Sequence, residues 1–477
     1  MQLRNYQLNS INELSANWKN HQRQVLCLPT GAGKTIVFSE IVRRSAEKGT
    51  VTLVLTDRTE LFKQTVKALG KFSVAVEEIS PSKKEIYKDA TVFVGMVETL
   101  SRRKQVLESI KPKLIIIDEA HKGNFNKIID AFPDAFVIGA TATPIGKHFY
   151  NYYTNIVQPI DVPELVEKGF LNPCKAFQMQ DDFSDLQVKR GEFTTESLND
   201  HFDKPKLFDG VVDKWKEKAN NKKTIVFCSS IEHSIKTAGA FIKSGIAAEY
   251  ITSKTSNQER ERILKAFKDG AFNVLCNCGI LTTGYDEPSI ECVILNRATL
   301  SLILFLQMIG RGSRLYPPHK DSFITLDFGG NHDRFGMWNE AREWSIEPPK
   351  KKRKGIGVVP VKDCPECGAM LKVQVSECEY CGHKFEPKAN QLKKDGILVQ
   401  LTVKDFEGKK VSDLSIEELI QLQKLKTYKA SYIWRVVRSK GEEKLSRYAS
   451  LMNYSKGWVN RQIESLEDCS YKDYKVK

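Results

Sequence analysis

Residues Leu28 to Thr35 read LPTGAGKT, and no other stretch of the chain limits its fold so tightly. A short apolar run, 25–28, leads into it, and a helix-like segment, 36–44, follows. Strand, glycine loop and helix in that order wrap the backbone around an anion. Gly31 and Gly33 have no Cβ in the way, so the loop through Thr30 and Ala32 turns its N–H groups inward at a helix N-terminus. In such a cradle Lys34 reaches the β and γ phosphates of a triphosphate and the Thr35 hydroxyl holds Mg²⁺. Leu28 stands where the strict G-x-x-x-x-G-K-[ST] pattern has its first glycine. A chance glycine turn before a helix competes with this reading until residues 118–119 are reached.

From 25 to 145, apolar β-rich runs (25–28, 51–56, 91–95, 114–118, 136–139) alternate with helical stretches. Unbroken apolar runs between helices predict a parallel sheet covered on both faces, with ligands at the carboxyl ends of its strands. A second alternating block, 206–330, has strands at 224–228, 249–252, 273–276, 292–295 and 323–327, with helices at 258–267 and 302–309. The fold class is α/β, with two tandem parallel-sheet lobes, 1–160 and 206–345, joined by a connector carrying accessory elements, 161–205.

The polar residues fall at strand ends. Asp118 and Glu119 close an apolar strand; Asp118 suits a Mg²⁺ ion and Glu119 suits orienting or deprotonating an attacking water. His121 either couples this site to the next strand or is a partly buried histidine. Thr141 and Thr143, in GATATP, are placed to link the pocket to a neighbouring lobe. Upstream, 3–14 reads as an amphipathic helix holding Arg4, Tyr6 and Gln7; it either caps the lobe or presents the Gln7 amide to an adenine edge. The second block has no GKT loop but contains Gln307-Met-Ile-Gly-Arg-Gly-Ser-Arg314. On a helix, Gln307, Gly310, Arg311 and Arg314 would share one face, and two arginines facing a triphosphate would stabilise charge on the transferred phosphoryl group.

The formal charge is +14 and the pI about 9.1. This points to a polyanionic partner, nucleic acid first and an anionic membrane surface second. No run of about 18 apolar residues appears and the N-terminus lacks a signal-peptide pattern, so a cytoplasmic protein that does not span a membrane is expected. Eleven cysteines do not form a disulfide framework: four of them, Cys364, Cys367, Cys378 and Cys381, make two C-x-x-C pairs ten residues apart. That spacing supplies four thiolates to one Zn²⁺, with His383 as a neighbour rather than a ligand; a redox dithiol is the alternative. A basic linker (346–362, with KKKRKG at 350–355) precedes this module (363–386). PKKKRK resembles a nuclear-import signal, and a solvated linker touching phosphates is the plainer reading. The remainder, 387–477, reads as a basic helical tail. It has a capping-box pair, Ser415 and Glu418, and a near-repeat of aromatic and basic residues at 428–435 and 454–461, suited to DNA or to helix packing.

These motifs, in this order, resemble the superfamily 2 helicases of the DEAH type. The match runs through Arg4/Tyr6/Gln7, LPTGAGKT, TDRTEL (56–61), GMVETL (95–100), DEAH (118–121), GATATP (139–144), TIVFCSS (224–230), ILTTGYDEP (280–288) and QMIGRGSR (307–314), about 330 residues in all. The resemblance implies RecA-like lobes with ATP and Mg²⁺ between them and nucleic acid lying across both. It also implies that Gly284 and Asp286 sense the nucleotide, that Arg311 and Arg314 are arginine fingers, and that Arg58, Thr99, Ser229, Thr282 and Thr283 contact the nucleic-acid backbone. The TATP form looks more like the DNA-acting branch than the RNA-remodelling one. A zinc module and a Tyr/Lys-rich tail after such a motor look like RadD-type and phage-encoded repair helicases. The expected protein is a monomeric DNA helicase or translocase of recombination and repair, in bacterial cytoplasm or a phage-infected cell, working with replication or recombination proteins on single-stranded, forked or branched DNA. Two alternatives are an RNA helicase and a DNA-structure-binding protein whose ATP site only switches affinity. No further acidic cluster suggests a nuclease.

Overall fold

The computed structural model describes residues 2–347 except 82, 84, 88, 180, 182, 184, 190, 203 and 204; 361–385 except 373–374; and 410–420, 433, 436–437 and 440–451. The chain forms two compact units, Met1–Glu386 and Pro387–Lys477.

The first lobe is a seven-stranded parallel sheet: β1 (Arg23–Cys27), β2 (Thr52–Thr56), β3 (Glu77–Ile79), β4 (Val92–Met96), β5 (Leu114–Asp118), β6 (Phe136–Thr141) and β7 (Asn155–Val157), in the order β3-β4-β2-β5-β6-β1-β7. Ile115, Ile116 and Ile117 are wholly buried, each contributing about 1.5–3 kcal/mol by leaving water. Burial on both faces is why these strands read as unbroken apolar runs. Register sets the site: Cys27 pairs with Thr141 and Asp118 with Ala140, so the phosphate loop, Asp118 and Thr141 emerge at one level of the carboxyl edge. The aromatic cluster at 149–153 belongs to this core. Tyr153 is buried, and its ring passes so close to Gly139 that a Cβ there would lie 2.5 Å from the hydroxyl.

The second lobe holds β8 (Cys174–Gln178), then a hairpin of β9 (Val188–Lys189) and β10 (Glu192–Phe193). Next come β11 (Thr224–Cys228), β12 (Ala248–Ile251), β13 (Val274–Asn277), β14 (Cys292–Asn296) and β15 (Phe323–Asp327). Its six-stranded parallel sheet runs β12-β13-β11-β14-β15-β8. The edge strand β8 comes from the stretch expected to be a connector, so the lobe takes in sequence from Cys174 onward, not only from 206. Five residues of β8 pair with β15, from Cys174–Phe323 to Gln178–Asp327. A second correction concerns the arginines. The helix Leu302–Ile309 ends at Gly310, and Arg311 and Arg314 lie in the turn beyond it. Close packing imposes this path, since a Cβ at Gly312 would lie 2.3 Å from the Phe323 ring.

The cysteine module, with β16 (Val361–Asp363) antiparallel to β17 (Met370–Lys372), leans on β8. The Tyr380 hydroxyl donates to the Cys174 carbonyl (2.7 Å), and Lys218 Nζ donates to the Cys367 carbonyl (3.3 Å). The module therefore covers an edge that would otherwise offer free backbone groups.

In the second unit, the described residues include the anticipated capping box. Ser415 N–H donates to Glu418 Oε2 (2.7 Å) and Glu418 N–H to Ser415 Oγ (3.1 Å). The helix Glu442–Leu451 also lies there, with Leu445 and Tyr448 buried. The basic run at 350–355 lies outside the described residues, as do both halves of the near-repeat save Ile433. Among the described residues no helix is long and apolar enough to cross a membrane.

Candidate active site

A cavity of about 390 Å³ lies between the two lobes at their carboxyl edges. The phosphate loop forms its floor. Gly31 and Gly33 have φ of 96° and 83°, conformations that side chains resist, and Gly33 opens the helix Lys34–Glu47 with its free N–H groups. The N-terminal helix braces this loop from behind. The Tyr6 hydroxyl donates to the Ala32 carbonyl (2.8 Å), as does Gln7 Nε2 (3.1 Å), while Gln7 Oε1 accepts from Arg4 N–H (3.0 Å). Gln7 is buried and each end of its amide has one protein partner, so it braces the loop while a second N–H and a second lone pair remain on the amide. Sequence reasoning missed Phe170. Its ring lies in the cavity wall with the Arg4 guanidinium 4.3 Å from its centroid, an apolar face beside the phosphate cradle. A lone aromatic in an irregular stretch carried no signal of that role.

The acidic pair faces Lys34. Asp118 is buried, and burial together with the Glu119 charge pushes it up to about 7. Burial also opposes charge on Glu119, but Lys34, His121 and Arg311 outweigh it and hold this carboxyl at about 2. The two neighbours are thus set apart: Glu119 stays an anion able to orient water or take its proton, and Asp118 is a carboxyl awaiting a cation. Glu119 adopts a left-handed backbone (φ 51°), rare for such a residue and a source of local strain at the chemistry. The Thr35 hydroxyl and the Asp118 carboxylate form an oxygen donor set that suits Mg²⁺, whose charge would draw Asp118 into its ionised form.

The second lobe closes the cavity. Arg314 lies over the loop: a Cβ at Gly31 would fall 2.6 Å from its Nη1, and its Nε donates to Asp286 (3.0 Å). Arg311 differs from expectation. Its two terminal nitrogens donate to the carbonyls of Thr282 and Tyr285, leaving only Nε without a partner. Gly284 meets the first lobe, its carbonyl accepting from Gln64 Nε2. Gln307 reaches across as well. Its amide donates to His121 Nε2 (3.4 Å), which leaves the proton on Nδ1, 3.0 Å from Thr141 Oγ1 and 3.2 Å from Glu119 Oε2. Thr143 N–H then donates to Thr141 Oγ1 (3.1 Å). The anticipated coupling residues thus form one hydrogen-bonded chain from Gln307 of the second lobe through His121 and Thr141 to the Thr143 backbone, with Glu119 beside His121.

The residues expected on nucleic acid lie at the same edges, after β2, β4, β11 and β13. Arg58 is half-exposed, but Thr99, Ser229, Thr282 and Thr283 are buried. Ser229 Oγ pairs with His233 Nδ1 (2.7 Å), and Thr282 Oγ1 donates to the Gly279 carbonyl (3.0 Å). Ser229 and Thr282 thus shape their loops, whereas Thr283 Oγ1 is buried without a partner and Thr99 sits on the helix Val97–Arg102. The half-exposed Arg58 is the one of the five able to reach a phosphate with its side chain as it stands.

In the cysteine module the four Sγ atoms lie within 4.8 Å of one another. Cys364–Cys381 and Cys367–Cys378 are 3.5 and 3.7 Å apart. Tetrahedral zinc thiolates, with Zn–S near 2.3 Å, require S···S of roughly 3.8 Å. Backbone N–H groups of Glu366 and Cys367 face the Cys364 sulfur, and that of His383 faces Cys381. The set fits Zn²⁺ held by Cys364, Cys367, Cys378 and Cys381, with His383 outside it.

Two RecA-like lobes with a nucleotide cradle on one and an arginine from the other define a nucleotide-driven motor. Residues 1–146 match the family described as type III restriction enzyme, res subunit, and 203–316 match the helicase conserved C-terminal domain. A 51.5 kDa protein of a Lactococcus phage is 32% identical over 366 residues, 75% of this chain and 77% of its own length. The Saccharomyces cerevisiae protein assigned as ATP-dependent helicase IRC3 is 30% identical over 69% of this chain, which spans only 51% of that protein. The DNA 3'-5' translocase XPB2 of Sulfurisphaera tokodaii is 26% identical over 65% of this chain and 78% of its own length. In fold, a fragment assigned as an HsdR subunit of a type I restriction enzyme from Vibrio vulnificus superposes with a TM-score of 0.55 (24% identity, 68% of this chain and 64% of that one). The chain belongs to the superfamily 2 helicases: it is an ATP-driven enzyme of the nucleic-acid helicase and translocase class.

Proposed function

We propose that this motor acts on DNA, translocating along or unwinding single-stranded, forked or branched DNA in recombination and repair, as a monomer in the cytoplasm of a bacterial or phage-infected cell. The observation carrying the motor reading is the apposition of Arg314 over Gly31, with Lys34 and Glu119 lining the same cavity. Lys34 and Arg314 stabilise charge on the transferred phosphoryl group and Glu119 aligns the water, while the Gln307–His121 link reports that chemistry across the lobes. ATP with Mg²⁺ supplies the phosphoryl group and its counter-charge. The restriction-enzyme family match, the TATP form of 141–144 and the charge of +14 support DNA as the track. The four-cysteine module and the basic sequence beyond it select the DNA structure, in the manner of RadD-type helicases.

The test is steady-state ATP hydrolysis without nucleic acid and with single-stranded, forked and duplex DNA and single-stranded RNA, at two salt concentrations, with Lys34→Ala as control. Stimulation by DNA, weakened by salt and lost in the variant, is expected. Stimulation by RNA alone would establish the RNA helicase alternative, and DNA binding without any hydrolysis would leave an affinity switch.

A further inference from the structure

Lys320 is buried at 7% exposure, and its ammonium faces no carboxylate within hydrogen-bond reach. Nζ donates instead to three backbone carbonyls: Gly312 (2.6 Å), Arg314 (2.9 Å) and Pro288 (3.1 Å). An ammonium has three hydrogens, so every donor is used and the pocket is matched to the charged form. Burying a cation without a counter-ion is costly, and an apolar side chain of similar length would fill the same space more cheaply. A purely structural need therefore does not explain a lysine here; what the three carbonyls belong to does.

Gly312 and Arg314 bracket the turn after the helix Leu302–Ile309. Pro288 ends the loop that carries Gly284 and Asp286. Arg314 and Asp286 are themselves ion-paired at 3.0 Å. Asn172 holds the turn from its other side, its N–H donating to the Ser313 carbonyl (2.8 Å) and its Nδ2 to the Arg314 carbonyl (2.8 Å). Without Lys320 the turn would keep the Asn172 bonds and the Arg311 and Arg314 bonds to Thr282, Tyr285 and Asp286, but lose the tie to the end of the loop at Pro288, so that the arginines alone would set its place.

We propose that Lys320 is a positioning residue for ATP hydrolysis, clamping the turn that carries Arg314 to the loop that carries Asp286 and so setting where the Arg314 guanidinium stands over the phosphate loop. The proposal rests on the reading that Arg314 acts in hydrolysis. It has a second consequence. Burial pushes Lys320 down to about 7, Arg314 adding to this and Glu291 and Glu287 opposing it. A deprotonated amine has two hydrogens for three carbonyls, so the clamp weakens as pH rises past neutrality.

The experiment compares DNA-stimulated ATP hydrolysis by the full chain and by Lys320→Met, Lys320→Arg, Arg314→Ala and the Lys320→Met/Arg314→Ala double variant, each checked for thermal unfolding. Lys320→Met should lower kcat roughly 10- to 100-fold, the scale of a displaced catalytic group, with little change in KM for ATP. It should cost nothing further on the Arg314→Ala background, since a residue acting through Arg314 has nothing left to position. The parent protein should show an alkaline fall in kcat, and Lys320→Arg, which keeps its charge, should lose it whatever its absolute rate. The proposal is overturned by wild-type kcat in Lys320→Met, by additive losses in the double variant, or by an unchanged alkaline limb in Lys320→Arg. Should Arg314→Ala itself leave kcat intact, the arginine-finger reading fails and the clamp with it. An inactive Arg314→Ala beside a fully active Lys320→Met sinks the clamp alone.

Discussion

Gly310 allows lobe apposition to be perturbed without perturbing either lobe. Its backbone is right-handed helical (φ −58°, ψ −11°), so alanine is conformationally acceptable there and favours the helix end by up to about 1 kcal/mol. The new methyl would nevertheless meet the other lobe: 2.8 Å from Thr30 Cγ2 and 2.9 Å from Thr30 Cβ. Rotation of Thr30 relieves the first contact and not the second, because Cβ is fixed to the phosphate loop. Carbon atoms rest at about 3.5–4.0 Å, so the lobes must part locally by roughly 0.5–1 Å. Arg314, four residues on, moves with them. A displacement of about 1 Å costs a catalytic group on the order of 10²-fold, near 2.7 kcal/mol of transition-state stabilisation. Gly310→Ala should therefore show an unchanged or slightly raised unfolding temperature with a kcat for DNA-stimulated hydrolysis lower by one to two orders of magnitude. A folded variant with kcat within about threefold of wild type would show that the Thr30–Gly310 contact does not set the geometry of hydrolysis, and the reasoning would be wrong.

Other perturbations separate the remaining elements. Chelation, or Cys367→Ser with Cys378→Ser, should remove one equivalent of zinc by elemental analysis and unfold residues 361–385, read as proteolysis near that segment with the two lobes intact. Tyr380→Phe, which deletes the bond to the Cys174 carbonyl, should cost about 1 kcal/mol in urea unfolding of the first unit. A double-mutant cycle on Gln307→Ala and His121→Ala should give a non-additive kcat, because the two share one hydrogen bond; strict additivity would remove the inter-lobe link. Glu40 is held at about 2 by hydrogen bonds from Arg43 and then Arg44, against the opposing effect of burial. Its folded value is depressed, so its contribution is present above about pH 4.5 and lost as pH falls towards 2. Glu40→Gln should thus cost up to about 1 kcal/mol at pH 7, discounted for partners a third exposed, and progressively less in acid.

Central strands were readable because burial on both faces leaves an unbroken apolar run, and five in the first lobe and four in the second fall within two residues of their expected limits, as does the edge strand β12. The edge strands β3, β7 and β8 were not. An edge strand buries less and can be short and mixed, and CKAFQ at β8 carries neither a run nor an alternation. The catalytic residues were readable one by one because their chemistry demands particular side chains at fixed spacing. How they are used was less so. Gln7 donates to Ala32, and the terminal nitrogens of Arg311 to two carbonyls, partners 25 to 29 residues away that no local pattern announces. Lys320 looked like one more surface lysine in a chain rich in them; only the fold brings its three acceptors together.

That division of labour between the arginines bears on how ATP could drive motion. Among the described residues the polar contacts between the lobes are few: the Arg260–Glu60 pair (3.1 Å) with Glu60 half-exposed, and the Gln307–His121, Gln64–Gly284 and Gln158–Arg342 bonds, beside a continuous cluster of buried apolar side chains from both lobes. Each polar contact is worth about 1 kcal/mol or less, so bonds from the second lobe to a bound nucleotide would add substantially to them. Moving a two-state equilibrium from 1:99 to 99:1 takes about 5.5 kcal/mol of differential binding. A charge-assisted hydrogen bond supplies roughly 1.5–3 kcal/mol, so two to four such bonds from the second lobe to a triphosphate on the first would suffice. Arg311 has given one hydrogen of each terminal nitrogen to a carbonyl and keeps Nε–H and one further N–H on each, whereas Arg314 keeps both terminal nitrogens whole for a phosphate beside its Nε bond to Asp286. Arg314, which lies over the phosphate loop, would then be one source of the closing energy, and losing a γ-phosphate there would weaken the apposition. The segments at Arg58, Thr99, Ser229 and Thr282 follow strands at the same two carboxyl edges, so on the proposed reading each such cycle would change the spacing between the two sets of residues offered to nucleic acid.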